Sequence, residues 1–114
     1  TEPDAEWIGQ VVAPNHPEYP GAHGCVSSAI TETLRAFFET DEVCLSVDSN
    51  VAGLLNPVRS YSRFSDALEE VIDARVYGGM HYRNSSRVGA ALGKQVSRYV
   101  TKHLFRKSGQ PSDD

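Results

Sequence analysis

The sequence has no long apolar run, no basic tract, no internal repeat and only two cysteines, and each absence removes a class of protein. No stretch approaches the length that crosses a bilayer, and residues 1–14 lack the basic start and hydrophobic centre of a secretion signal, so no membrane span or leader is expected. The chain reads as soluble, with its compartment open. A formal charge of −4, with no basic run able to track a phosphodiester backbone, argues against nucleic acid as a partner. Cys25 and Cys44 form no Cys-x-x-Cys motif, which disfavours structural zinc, and their apolar neighbours make two buried thiols the expectation. The first residue is Thr1 rather than methionine, which suits a processed product or a piece of something longer.

What is present fits one domain. A chain of 114 residues, 39% hydrophobic, can bury a modest core. Residues 1–21 hold Pro3, Gly9, Pro14, Pro17, Pro20 and Gly21, a density that forbids a sustained helix, so an extended loop is expected, held by Trp7, Ile8, Val11 and Val12. From Ala22, Val26, Ile30, Leu34 and Phe37 or Phe38 recur at helical spacing, and the run stops near Thr40 and Asp41. Val43, Leu45 and Val47 alternate with polar residues, a weak extended signal with too few partners for a sheet; residues 49–60 read as a crossing loop. Ser62 or Ser65 is placed to cap a second helix bearing Phe64, Leu68, Val71, Ile72 and Val76 and ending at Gly78 and Gly79. Asn84, Ser85 or Ser86 is placed to cap a third, with Val88, Leu92, Val96, Tyr99 and Leu104 as its apolar face and Gly89, Ala90 and Gly93 permitting close helix contact. The division is a loop over 1–21, a helical core over 22–105 and a frayed tail over 106–114. The fold class is all-α.

Two segments carry chemistry: Asn15-His16-Pro17-Glu18-Tyr19-Pro20-Gly21-Ala22-His23 and Arg75-Val76-Tyr77-Gly78-Gly79-Met80-His81. Each ends in an imidazole, the second adds a guanidinium, and the first opens a helix. Helix-start amides at Gly21 and Ala22, unspent by helical bonding, suit an anion, and their small side chains let it approach. His23 beside them is placed for proton transfer. Arg75 offers a planar fork to two oxyanion oxygens, while Gly78 and Gly79 free the backbone to carry His81 back toward it. Plainer readings exist for each: a turn before a helix, a surface histidine, an Arg75 paired with Asp73 or Glu70. His16 reads as shaping the loop, Glu18 as a solvated carboxylate with the orienting of one of the histidines as its alternative, and Arg83, Arg87, Lys94, Arg98 and Lys102 as a solvated helix face.

These residues resemble the superfamily of vanadium-dependent haloperoxidases and type-2 phosphatidate phosphatases, which includes bacterial acid phosphatases. The family pattern is a Lys followed at a distance by Arg-Pro, then Pro-Ser-Gly-His, then Ser-Arg, five residues, His, three residues, Asp. Here Pro20-Gly21-Ala22-His23 stands for the second part, and Ala74-Arg75 with His81 and Ser85 for the third, across an interval of roughly fifty residues that suits the family. His16-Pro17-Glu18-Tyr19-Pro20 looks like the haloperoxidase branch. By this resemblance, over roughly 14–105, His81 would ligate vanadate apically or attack phosphorus, His23 would be the acid–base group, Arg75 would clamp equatorial oxygens, and the Gly21 and Ala22 amides would complete the cradle. Three departures stand out: the Lys and Arg-Pro part is absent, Gly21 replaces a serine, and Ser85 stands where an aspartate would orient His81.

The expectation is therefore an all-α chain forming the C-terminal part of a haloperoxidase-like or acid phosphatase-like helical bundle. The resemblance implies vanadate as cofactor, with halide and hydrogen peroxide as substrates. One alternative is a phosphomonoesterase working on a phosphate ester through a phosphohistidine, and another is a non-catalytic helical interaction module. An N-terminal helical portion or a second chain would supply the missing Lys and Arg. The surplus of apolar helix face also makes a homo-oligomer an expectation, and the segment alone should be weak or inactive.

Overall fold

A computed structural model describes residues 2–9, 11–49 and 55–104. Three helices, α1 (Ala22–Phe38), α2 (Phe64–Tyr77) and α3 (Arg83–His103), account for most of it. Between α1 and α2 run two strands, β1 (Glu42–Asp48) and β2 (Val58–Arg63), paired antiparallel with Leu45 opposite Tyr61 and Ser46 opposite Ser60. This corrects two expectations. The alternation over Val43–Val47 does find a partner, and the end of the supposed loop over 49–60 supplies it. Val58-Arg59-Ser60-Tyr61-Ser62-Arg63 is too polar to read as a strand, because both strands are largely exposed and gain from cross-strand pairs such as Ser46 Oγ to Ser60 Oγ at 3.0 Å. The domain remains mostly helical. Leu54 and the tail over 106–114 lie outside the described residues.

The second helix does not use Ser62 or Ser65 as its cap. Arg63 occupies that position without a side-chain capping bond, and Asp41, brought alongside by the hairpin, accepts the Ser65 N–H at 3.1 Å and the Ser65 hydroxyl at 2.6 Å. Those bonds, the hydroxyl foremost, hold the Asp41 carboxyl below its ordinary range. The helix ends as expected at Gly78, followed by Gly79 at φ 72°, a left-handed conformation that glycine adopts without cost. The third helix begins at Arg83, earlier than the expected caps, with Ser85 and Ser86 buried in its first turn.

The main contact joins α1 to α3, and it is built from small residues. Gly24, Ser28 and Thr31 of α1 face Ser85, Ser86, Gly89, Gly93 and Ser97 of α3. A Cβ on Gly89 would strike the Gly21 carbonyl, and one on Gly93 the Cys25 carbonyl, so the two backbones touch. Thr33 Oγ1 and Ser97 Oγ share a hydrogen bond at 2.9 Å along the same seam.

The apolar periodicity of both helices points elsewhere. Val26 is 60% exposed, Phe37 77%, Val96 47% and Tyr99 64%, while Phe64 and Ile72 are the buried hydrophobic residues among those described. The expected core face of α1 is thus an outer face. Ile8 and Val12 are exposed too, so they do not hold the N-terminal loop, although Trp7 lies against Gly79. Cys25 is half-buried and Cys44 exposed, which corrects the expectation of two buried thiols, and both are free. No helix among the described residues is long and apolar enough to cross a membrane.

Candidate functional site

The close approach of α1 and α3 brings the start of α1 against the first turn of α3. The Gly21 N–H donates to the Ser85 carbonyl at 2.8 Å. That bond corrects Gly21 as an anion donor, because its hydrogen is already spent. A side chain is also excluded there, since a Cβ on Gly21 would lie 2.9 Å from Ser86 Cα; the departure from serine follows from the packing. The neighbouring Ala22, as the first helical residue, has no acceptor within the helix for its N–H.

The turn after α2 returns His81 to Arg75: the His81 N–H donates to the Arg75 carbonyl at 3.2 Å, and the Met80 N–H to the same oxygen at 3.0 Å. His81 is 6% exposed, and its Nδ1 donates to the Glu18 carbonyl at 2.7 Å. A carbonyl can only accept, so Nδ1 carries a proton, and in the neutral ring this leaves the lone pair on Nε2. Glu18 itself is not a free solvated group. Its Oε1 accepts the Tyr82 N–H at 2.9 Å and its Oε2 accepts the Ser85 hydroxyl at 2.8 Å. These two bonds, the hydroxyl first, lower its pKa.

Two more imidazoles join. His16 stacks on His81 with ring centroids 5.5 Å apart at 17°, and lies 5.9 Å from His23. His16 Nδ1 donates to the Pro17 carbonyl at 3.1 Å, so it does shape the loop, as expected, but its ring also lies over the site. One ligating atom from each of the three histidines falls within 4.8 Å of the others. His23 is pushed below the ordinary histidine range, first by burial and then by the charges of Arg75, His16 and His81.

Arg75 is not an exposed ion-pair partner. Glu70 bonds Arg59 at 2.8 Å and Asp73 bonds Arg83 at 2.6 Å, which leaves neither carboxylate to it. Its Nε and Nη2 are buried without a hydrogen-bond partner, as are His81 Nε2 and Ser86 Oγ. Leaving a buried polar group unmet costs about 1–3 kcal/mol, more for a charged one. Burial lowers the Arg75 pKa as well. Arg87 and Lys94 pair with Glu69 and Glu32 on the outer surface, the solvated face expected of them.

Of the expected residues, then, His81, His23 and Arg75 come together, and Gly21 contributes packing rather than a donor. Reasoning along the sequence gave Glu18 a histidine-orienting role only as the second choice, placed Ser85 at the family aspartate position, and offered Ser86 only as a helix cap. Glu18 lay five residues before His23 in plain view, but its bonds to residues 82 and 85 depend on a fold that crosses most of the chain.

The VCPO second helical-bundle domain matches residues 1–109. A bacterial vanadium-dependent iodoperoxidase structure superposes with a TM-score of 0.76 at 34% identity, covering 86% of this chain and 23% of that one. A holo-type bacterial vanadium-dependent chloroperoxidase superposes at 0.69 with 21% identity, covering 87% of this chain and 24% of that one. The chain thus spans about a quarter of the length of these structures. No curated protein matches it. A match over nearly the whole chain, on a fold whose helices meet at this cluster, makes the chain a member of the vanadium haloperoxidase family, corresponding to its second helical-bundle domain.

Proposed function

We propose that this domain supplies the oxyanion-binding half of a vanadium-dependent haloperoxidase, an enzyme that oxidises halide with hydrogen peroxide. The observation that carries the reading is the set of buried, unpartnered polar atoms: Arg75 Nε and Nη2, His81 Nε2 and Ser86 Oγ. Guanidinium N–H pairs, a hydroxyl and an imidazole lone pair are what a tetrahedral or trigonal oxyanion with an electrophilic centre requires. The residues therefore fit vanadate.

Arg75 would hold two of the anion's oxygens as a fork, with Ser86 adding the hydroxyl that Gly21 cannot carry. His81, protonated on Nδ1, would present its Nε2 lone pair to the central atom. The Ala22 N–H would face the anion at the start of α1. His23, whose pKa is depressed, is neutral near pH 7 and so able to take up a proton from a bound oxygen or from peroxide. Vanadate, when bound, supplies the Lewis acid that activates peroxide toward halide.

Two cations of the family pattern have no counterpart here. A further helical portion or a second chain, seated on the outward faces of α1 and α3, would provide them and would cover Val26, Ile30 and Val96. The same pocket suits phosphate, so phosphate should compete with vanadate. The test is halide oxidation by the natural protein with vanadate and peroxide. Activity that phosphate inhibits competitively, and that His81→Ala abolishes, supports the haloperoxidase. Hydrolysis of p-nitrophenyl phosphate inhibited by vanadate would replace it with a phosphomonoesterase, and no binding of either anion would leave a non-catalytic interaction module.

A further inference from the structure

We infer that Glu18 is the positioning residue of His81, acting through its backbone and its side chain together. The inference rests on the oxyanion reading of the pocket for its consequence, though not for its geometry. The carbonyl of Glu18 receives the His81 Nδ1 proton at 2.7 Å, which fixes the tautomer and turns Nε2 toward the unpartnered polar atoms. Its carboxylate is anchored by two donors at the start of α3, the Tyr82 N–H and the Ser85 hydroxyl. Tyr82 caps that helix without a side-chain bond of its own, so Glu18 caps it from the N-terminal loop, where negative charge also meets the positive end of the helix.

The two roles depend on each other. Anchoring the carboxylate to Tyr82 and Ser85 holds the Glu18 backbone in place, and that is what keeps its carbonyl on Nδ1. The carboxylate Oε1 lies 3.6 Å from Nδ1, close enough for its charge to favour the proton there over Nε2. Residues 82–86, Tyr-Arg-Asn-Ser-Ser, contain no carboxylate of their own. The charge beside His81 must come from the loop, and Ser85 serves as its anchor.

Ring-nitrogen NMR of the histidine-labelled natural protein, read beside a vanadate titration, tests this. In Glu18→Ala the His81 signals should lose the pattern of a hydrogen-bonded Nδ1–H with a free Nε2, and vanadate affinity should fall about 10- to 100-fold, the usual effect of removing an outer partner of a ligating histidine. Glu18→Gln keeps the shape but not the charge and should weaken binding less. Ser85→Asp alone sets two carboxylates in contact and should also weaken it. The double variant Glu18→Gln with Ser85→Asp returns a single carboxylate to the same place and should recover most of the affinity.

Unchanged His81 signals and unchanged vanadate affinity in Glu18→Ala would overturn the inference, as would a double variant no better than Glu18→Gln. Should Glu18→Ala fail to fold, Ser85→Ala, which removes one hydroxyl, is read in the same way. If the unmutated protein binds neither vanadate nor phosphate, the oxyanion reading fails by itself, and the ring-nitrogen signals still decide the role of Glu18.

Discussion

The two faces of the α1–α3 pair differ in kind. The inner face, Gly24 and Ser28 against Ser86, Gly89 and Gly93, is made of residues with almost no side chain and brings the backbones into contact. The outer face, Val26, Ile30, Phe37, Leu92 and Val96, carries most of the apolar area of both helices and leaves it exposed. Burial of apolar area is the usual driving force for helix pairing, at roughly 25 cal/mol per Å². Here that area lies on an exposed outer surface, while the seam inside the domain is specified by close fit. The close fit is what the site needs: it carries Ser85 to Gly21 and Glu18, and with them the ring of His81.

Breaking the inner face should have the largest effect. Gly89→Leu drives a side chain into the Gly21 carbonyl and should cost about 3 kcal/mol, the upper range for overpacking, together with loss of vanadate binding because Ser85 and Gly21 separate. Urea denaturation beside a vanadate titration measures both. Normal binding in a folded Gly89→Leu would mean that the seam does not set the site.

Arg75→Ala comes next. Removing charge-assisted bonds worth about 1.5–3 kcal/mol should weaken anion binding by roughly 10- to 100-fold. Without the anion, stability should hold or rise, since buried unpartnered donors are removed. Thermal melts with and without phosphate separate the two effects.

The outer face should answer differently. Leu92→Ser and Val96→Ser in the 114-residue chain should change its unfolding free energy by no more than about 0.5 kcal/mol, as at other exposed positions, yet reduce self-association in sedimentation. A large loss of monomer stability would show that this face is already covered.

The smallest effect is a pH dependence at the site. Because the folded pKa of His23 is depressed, the unfolded chain takes up the proton first. The stability tied to His23 is therefore complete above the unfolded value of about 6.5, and it is lost as pH falls through the lower folded value. Bound phosphate offsets the Arg75, His16 and His81 charges that contribute to the shift, and should flatten that decline in melts recorded between about pH 7 and 5.

Much of this was legible along the chain. The period of Val26, Ile30 and Leu34 marks α1, and Gly78 and Gly79 end α2 where turn chemistry says they should. Periodicity reports which residues share a face, but it cannot say which face meets which partner. The large residues of α1 and α3 were natural candidates for the core, and the glycines beside them decided otherwise. The hairpin was missed for a related reason: β2 is held by pairing with β1 and carries little apolar pattern of its own.

At the site, the pairing of the two motif-bearing segments, read with the family resemblance, nominated His81, His23 and Arg75. That nomination, the helical character of the chain and its family resemblance were determined by the sequence. Which amide is spent, which hydroxyl is left unpartnered and which carboxylate reaches His81 were decided by the tertiary structure. Those facts depend on Glu18 and Ser85 meeting across 67 residues of chain, with a hydroxyl-to-carboxylate distance of 2.8 Å. Spacing along a chain fixes local geometry to within a few residues, and only the packed backbones of α1 and α3 bring such distant groups within hydrogen-bonding range.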